Sequence, residues 1–409
     1  MDTEVAIIGA GLAGLRCAQV LSSRGVAVRI YEASDRVGGR VASDVIDGFT
    51  IDRGFQLLNT AYPALRRSVD LSGLDLRAFD RGVRLEQVNN RRLLLDPRQN
   101  LFSGPRTLRN LPGTFQEQLQ LGRTLAKLAF GASPHLPEPE LPTAQWFANS
   151  RFSGPLVDEV LQPFLAGVTL DPSLSGSSTV TALILRSLLR GRAAVPARGM
   201  GALPGRMAMD LSPGTVLTQC RVAAITPTGL STSHGEISAA VVVLATDWPM
   251  AQELLPQLGS SEMNAVTTWW HALPESPQSK VVCLDLEPSP ITNTVAMSAA
   301  APYAPNGKGL IASSAPGTRA DSATDGAVRE AVARCWDVEE REVELIATSI
   351  IPHALPRMSV PLNLTPPLEV AGIVVAGDHR ATASIQGALA SGERAAKGVL
   401  KKLGRAKKA

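Results

Sequence analysis

Aromatic residues are scarce in this chain, 4% of 409, which removes the stacking platforms that single-stranded nucleic acid needs. Cysteine is scarcer still. Cys17, Cys220, Cys283 and Cys335 stand far apart, and none belongs to a CxxC pair. A disulfide framework is therefore not expected, and the pattern suits a reducing, cytoplasmic compartment. No run approaches about 18 uncharged apolar residues, so a conventional transmembrane helix is not expected either. HxH, HExxH and paired CxxC spacings are missing, and so is the G-x-S-x-G nucleophile elbow; no metal site is expected. The N-terminus carries Asp2 and Glu4 and runs straight into a strand, unlike a signal peptide.

A surplus of charge is also lacking, because the formal +3 belongs to one end. Lys397, Lys401, Lys402, Arg405, Lys407 and Lys408 close the chain with no acid among them, and without them acids outnumber bases. Two readings of that tail stay open: a solvated last helical turn that frays, or a weak contact with an anionic membrane surface that would make the protein membrane-peripheral. No basic stripe or reading motif supports nucleic-acid binding. What remains, 44% apolar and 19% charged over this length, is a globular composition long enough for two domains.

The most informative stretch is at the start. Residues 4–8, EVAII, read as a buried strand; GAGLAG turns the chain into an apolar helix that stops near Gly25; VAVRIYE is the second strand. Strand, glycine turn, helix and strand are the setting that the G-x-G-x-x-G dinucleotide fingerprint requires. Gly9 serves the sharp turn, Gly11 lets a diphosphate approach the backbone, and Gly14 lets helix and strand pack closely. Unpaired N–H groups of the helix start then face the phosphates. Glu32, 18 residues after Gly14, can accept from both hydroxyls of an adenosine ribose and would repel a 2'-phosphate. This segment alone leaves NAD and FAD open, since both present the same ADP moiety. Gly38 and Gly39 followed by Arg40 add a second glycine approach and a cationic fork, as an extended dinucleotide would need.

GAGLAGL, YEASDRVGGR and IDRGFQLL at the front, with VVAGDHRATASIQGALASGERAAKGVL near the other end, resemble the flavin-containing amine oxidase and phytoene desaturase superfamily, which also contains protoporphyrinogen oxidases. The resemblance implies FAD. It would place Gly9, Ala10, Gly11, Leu12, Ala13 and Gly14 around the pyrophosphate, Glu32 and Ala33 at the adenosine ribose, and Gly38, Gly39 and Arg40 near the phosphates or the flavin. Gly54, Phe55, Gln56 and Leu57 look like the segment beside the isoalloxazine ring, and Val222 like the residue set against the adenine. Gly377 and Asp378 resemble the acid-bearing C-terminal motif, and Gln386, Gly387 and Ala388 the helix start offered to the flavin's pyrimidine edge. Read from the residues alone, GIVVAGD is a strand ending in glycine and an acid, and Ser384 is suited to cap the helix after it.

The expected fold is α/β: a Rossmann-like FAD-binding domain assembled from discontinuous segments, 1–80, 192–250 and 345–409, with a mixed α+β substrate domain from 81–191 and 251–344. Residues 114–130 read as an amphipathic helix. The stretch AQWFANSRFSGPLVDEVLQPFLAGVTL reads as helical in two pieces, with Pro163 limiting the second. VVVLAT at 241–246 has the continuous apolar character of a strand buried on both faces.

No side chain stands out as a catalytic base. His379 follows Asp378 and is a candidate to approach the ring; His353, in IPHALP, is a candidate for the substrate side; His271, beside Trp269 and Trp270, reads equally well as a sheet residue. The motif RATASIQG lacks the aromatic that many amine oxidases carry before this helix, and it lacks a cysteine for a thioether, so non-covalent FAD is implied. The favoured expectation is an FAD-dependent oxidoreductase that removes a hydride from a small, largely apolar organic substrate, desaturase-like. An amine oxidase, a protoporphyrinogen-oxidase-like enzyme and a non-enzymatic flavoprotein are the alternatives. Oxygen, a quinone or a nicotinamide stay open as electron acceptor.

Overall fold

The structure, a computed structural model, describes residues 2–99, 104–131, 136–319 and 321–405. The chain's start builds the centre of an eight-stranded sheet. Strand β1 (Thr3–Ile8) lies parallel to β2 (Val28–Tyr31) on one side and to β3 (Gly235–Leu244) on the other. Val5 and Ile7 are fully buried, as are Val243 and Leu244, which explains why these strands read as apolar runs. Beyond β3 the sheet divides. Its last residues pair in parallel with Ile373–Val375, and its first half pairs with the antiparallel hairpin Val222–Thr226 and Gly229–Thr232. Three segments distant in sequence thus share one sheet. Helix α1 (Leu12–Ser22) leaves the turn after β1.

The second sheet has seven strands. One strand in from its edge lies β4 (Met263–Leu273), paired antiparallel with Gly309–Pro316 and with the edge strand β5 (Glu344–Pro356). Trp269 and Trp270 are both fully buried because neighbouring side chains on a strand point to opposite faces. Trp269 joins the core under helix Ser322–Trp336 and donates Nε1–H to Asp325 at 2.7 Å. Trp270 joins the main core and donates to Ser349 at 3.3 Å. The sequence boundary at 345 divides differently from the pairing: Glu344–Pro356 is a strand of the second sheet, and the last strands of the first sheet begin at Glu369.

Helical segments pack beside this sheet, with Val160 and Phe164 against Leu85, Leu94 and Leu284. Phe115–Phe130 begins at a capping box, Thr114 with Glu117. The stretch from Gly154 to Thr169 is helical throughout, so Pro163 does not limit it. A π turn at Val157–Leu161 shifts the hydrogen-bond register just before the proline, and the missing N–H then breaks no ladder. Helix α2 (Ser178–Arg190) follows. The chain ends in α3 (Ile385–Lys402), which packs along α1 so closely that a Cβ at Gly392 would stand 2.2 Å from the Ala13 carbonyl oxygen. Of the terminal cations, Lys397 pairs with Glu393, Lys402 with Glu369 and Arg405 with Glu4; Lys407 and Lys408 lie outside the described residues.

Candidate active site

One cavity of about 730 Å³ runs from the β1–α1 turn, between the two sheets, to α2. Of the residues singled out in the sequence, Gly9, Gly11, Leu12, Ala13, Glu32, Ala33, Gly38, Gly39, Arg40, Gly54, Phe55, Gln56, Leu57, Val222, Gly377, Asp378 and Ala388 line it. Ala10, Gly14, Gln386 and Gly387 do not. Ala10 lies behind the turn and donates its N–H to Glu32 at 2.7 Å. Gly14 packs on the turn, where a Cβ would stand 2.0 Å from the Gly9 carbonyl oxygen. Gln386 turns away, because its Oε1 accepts from the Ala64 N–H at 2.9 Å.

At the β1–α1 end, Gly11 occupies the N-cap of α1 and no side chain caps the helix. A Cβ on Gly11 would meet nothing within 4 Å. An uncapped helix start opening onto a roomy cavity is a cradle for an anionic group. Glu32 stands at the end of β2, where Ser34 also donates to it through its N–H at 2.9 Å and its hydroxyl at 2.8 Å. Ser34 was not singled out in the sequence, although E-x-S is a local pattern that could have shown it.

Midway, the two chain ends meet. Arg40 pairs with Asp378 at 2.7 Å and donates to the Ala354 carbonyl at 2.6 Å. Burial works against the guanidinium, but Asp378 beside it outweighs that and raises its pKa. Arg40 therefore acts as a clasp between the sheets rather than as a free cation. Gln56 donates Nε2–H to the carbonyls of Arg40 and Arg53. The Phe55 N–H donates to Thr268 on β4 at 3.2 Å. Thr268 is a positioning residue that only long-range pairing reveals. Ser384 caps α3 by accepting from the Gly387 N–H.

The far end is walled by α2, which presents Val180, Ile184 and Leu188 with Thr181 and Ser187, and by Phe55, Leu57, Leu170 and Leu174. Spacing of four places the three aliphatic side chains in one row along the helix. Tyr62 lies on the same wall, and burial pushes its hydroxyl up to about 12.

Four carboxylates reach the cavity wall, and each already has partners. Glu32 accepts from Ala10 and Ser34. Asp378 pairs with Arg40. Asp247 caps the helix Trp248–Leu254 and faces Arg40. Asp171 accepts from the N–H and hydroxyl of Ser173, the N–H and hydroxyl of Ser175, and the Gly176 N–H. Burial alone would raise its pKa, yet those five donors hold it below the usual carboxylate value.

Neither histidine proposed as a catalytic candidate is among the residues that line the cavity. The His379 side chain is buried against Trp248, ring centroids 4.9 Å apart, and burial pulls its pKa down to about 4. His353 is exposed on β5. There the ladder steps from Asn264–Leu355 to Val266–Ile351, so three residues of β5 face one of β4. That bulge keeps Ile351 and Leu355 inward and lets His353 point out. His271 is buried in the sheet, and burial likewise pulls it down to about 4.

Residues 12–400 match the model of the flavin containing amine oxidoreductase family, and the chain belongs to it. Its curated relatives match over shorter stretches. Putrescine oxidase of Kocuria rosea is 39% identical over 75 residues, 18% of this chain and 16% of that protein. Hydroxysqualene dehydroxylase of Rhodopseudomonas palustris is 26% identical over 208 residues, 47% of this chain and 45% of the dehydroxylase. The crystal structure of an oxidoreductase from Methanosarcina mazei superposes with a TM-score of 0.74 at 16% identity, covering 96% of this chain and 99% of that one; it shares the fold.

Family membership implies FAD, and the residues present fit it. The uncapped start of α1 and the open space at Gly11 suit a pyrophosphate. Glu32 retains acceptor capacity for a ribose beyond its three bonds. The cavity continues past Gly54–Leu57 with room beyond the nucleotide end.

Proposed function

We propose that the protein is an FAD-dependent oxidoreductase that removes a hydride from a largely apolar, uncharged organic molecule, in the manner of a desaturase. Non-covalent FAD, when bound, supplies the hydride acceptor. Gly9, Gly11, Leu12 and Ala13 would hold its pyrophosphate, Glu32 its ribose, and Gly54–Leu57 would flank its ring. The four cysteines are buried, and none is among the residues that line the cavity.

The observation that carries the substrate class is the state of the acids. A cationic amine in a dry pocket needs a carboxylate or an aromatic cage. Every carboxylate on this wall already accepts hydrogen bonds or pairs with Arg40, so none has its acceptor sites wholly open to an ammonium. The α2 side offers aliphatic groups instead. Val180, Ile184, Leu188, Leu170 and Leu174 would exclude water and align the substrate. The Tyr62 hydroxyl stays protonated at neutral pH, so it can donate a hydrogen bond but is no base.

The test is anaerobic reduction of the FAD-loaded protein, followed as loss of yellow colour. Long isoprenoid hydrocarbons and their alcohols should bleach the flavin, and putrescine and benzylamine should not. Bleaching by the amines with none by the isoprenoids would overturn the proposal in favour of an amine oxidase.

A further inference from the structure

Asn59 lies where the cavity meets the end of α2. Its strand pairs with Ala193, and the Thr60 N–H donates to the Arg192 carbonyl, so it stands beside Ser187, Leu188 and Ala193 on the wall. The residue is 4% exposed. Its amide orientation is fixed by its surroundings. Oδ1 accepts from the Ala61 N–H at 2.8 Å, and the reverse orientation would set two donors against each other. Gly191 is packed onto the same oxygen, where a Cβ would stand 1.8 Å away. The other end of the amide, Nδ2, is buried and has no hydrogen-bond partner among the described residues. An amide held this firmly with its donor unused is costly to keep buried, which makes it an observation about a ligand rather than about packing.

Resting on the apolar-substrate reading above, we propose that Asn59 Nδ2 is the polar anchor of the substrate site. It donates to a neutral oxygen, a carbonyl or a hydroxyl, at one end of an otherwise apolar molecule. The body of that molecule lies along Leu188, Ile184 and Val180. These three span eight residues of helix, on the order of 12 Å at the usual rise. The substrate class is therefore an elongated amphiphile with one uncharged oxygen head. A charged ammonium head has two disadvantages there: Nδ2 is a donor, and no carboxylate on the wall is free of partners.

The test uses the FAD-loaded full chain and two probes of equal length, 2-decanone and decane, with binding read from the perturbation of the flavin spectrum. The wild type should bind 2-decanone about tenfold more tightly than decane, the size of one buried hydrogen bond. Asn59→Asp keeps the shape and the acceptor for Ala61 but replaces the donor with an acceptor, and it should abolish that preference while FAD affinity stays unchanged. Equal binding of the two probes by the wild type would overturn the anchor and leave the apolar reading standing. Failure of both probes to bind a protein that takes up FAD would overturn the apolar reading itself. A loss of FAD affinity in Asn59→Asp, with the ketone preference intact, would assign Asn59 to the cofactor and overturn the proposal. If the variant does not fold, the wild-type comparison alone decides.

Discussion

Gly11 and Gly14 stand three residues apart in one turn, yet alanine should act on them in opposite ways. At Gly11 the backbone has φ −70° and ψ 177°, a region open to any residue, and a Cβ would touch nothing within 4 Å. The folded apoprotein should accept Gly11→Ala within about 0.5 kcal/mol, since the entropy gained offsets a poorer N-cap. The loss should fall on the cofactor, because the methyl group enters the space a pyrophosphate needs. At Gly14 the new Cβ would lie 2.0 Å from the Gly9 carbonyl oxygen, so helix and turn must part by roughly 1 Å. Overpacking of that kind costs about 1–3 kcal/mol, and the better helix propensity of alanine returns about 1 kcal/mol of it. Urea unfolding of the apoproteins, with and without FAD, separates the two. At FAD one hundred times the wild-type Kd, binding adds about 2.7 kcal/mol. With affinity reduced tenfold, Gly11→Ala should gain about 1.4 kcal/mol. A Gly11→Ala protein that keeps the full wild-type gain would refute the placement of the pyrophosphate at this turn.

Acid stability follows from three buried groups. His271 and His379, each pulled down to about 4 by burial, are neutral in the folded protein while the unfolded chain binds protons below about 6.5, so stability falls as pH drops through that window. Asp52, pushed up to about 6 by burial among Ser43, Met200 and Tyr303, acts in the opposite direction, holding a proton that the unfolded chain releases. Two histidines against one carboxylate leave a net loss of roughly 3 kcal/mol between about pH 7 and about pH 4; urea midpoints measure it, and His379→Gln should remove part of the slope. Asp378→Asn should leave Arg40 without its charge partner and cost about 2 kcal/mol, less than the loss of a wholly buried pair because Arg40 keeps some exposure to the cavity. The same urea experiment reads that loss, and an unchanged midpoint would show that the clasp between the chain ends contributes nothing.

Features encoded within one or two turns of chain were legible in the sequence. The β1–α1–β2 unit follows from three glycines, an apolar helix and an acid at fixed spacing, and Ser384 is the cap that its residue type suggested. The Asp171 loop belongs to the same class: D-x-S-x-S-G carries all of its donors within six residues and could have been read as a saturated carboxylate. Which strands pair at the second sheet's edge was not legible. Nothing in IPHALP says that its strand completes the second sheet, nor that a bulge there turns His353 outward. His379 follows a cofactor-motif acid in sequence but is drawn into the core by Trp248.

Residue type alone would also misjudge the cavity's electrostatics. By type, Glu32, Asp171, Asp247 and Asp378 make an acidic wall suited to an amine; by partner, each is already engaged by serine hydroxyls, backbone N–H groups or Arg40. Asn59 shows the converse. LLNTAY reads as an ordinary turn, and its asparagine becomes conspicuous only when Ala61 and Gly191 have fixed one end of the amide and left the other without a partner. Buried polar groups are normally satisfied, so what a site can bind is read from the groups that are not. Gln56 Oε1 and the Tyr31 hydroxyl, also buried without a partner among the described residues, lie on the wall with Glu32 and Gly54–Leu57, whereas the unmatched group beside the aliphatic row is a donor, Asn59 Nδ2. Under the proposed function, that combination suits an uncharged oxygen on a long apolar body better than an ammonium.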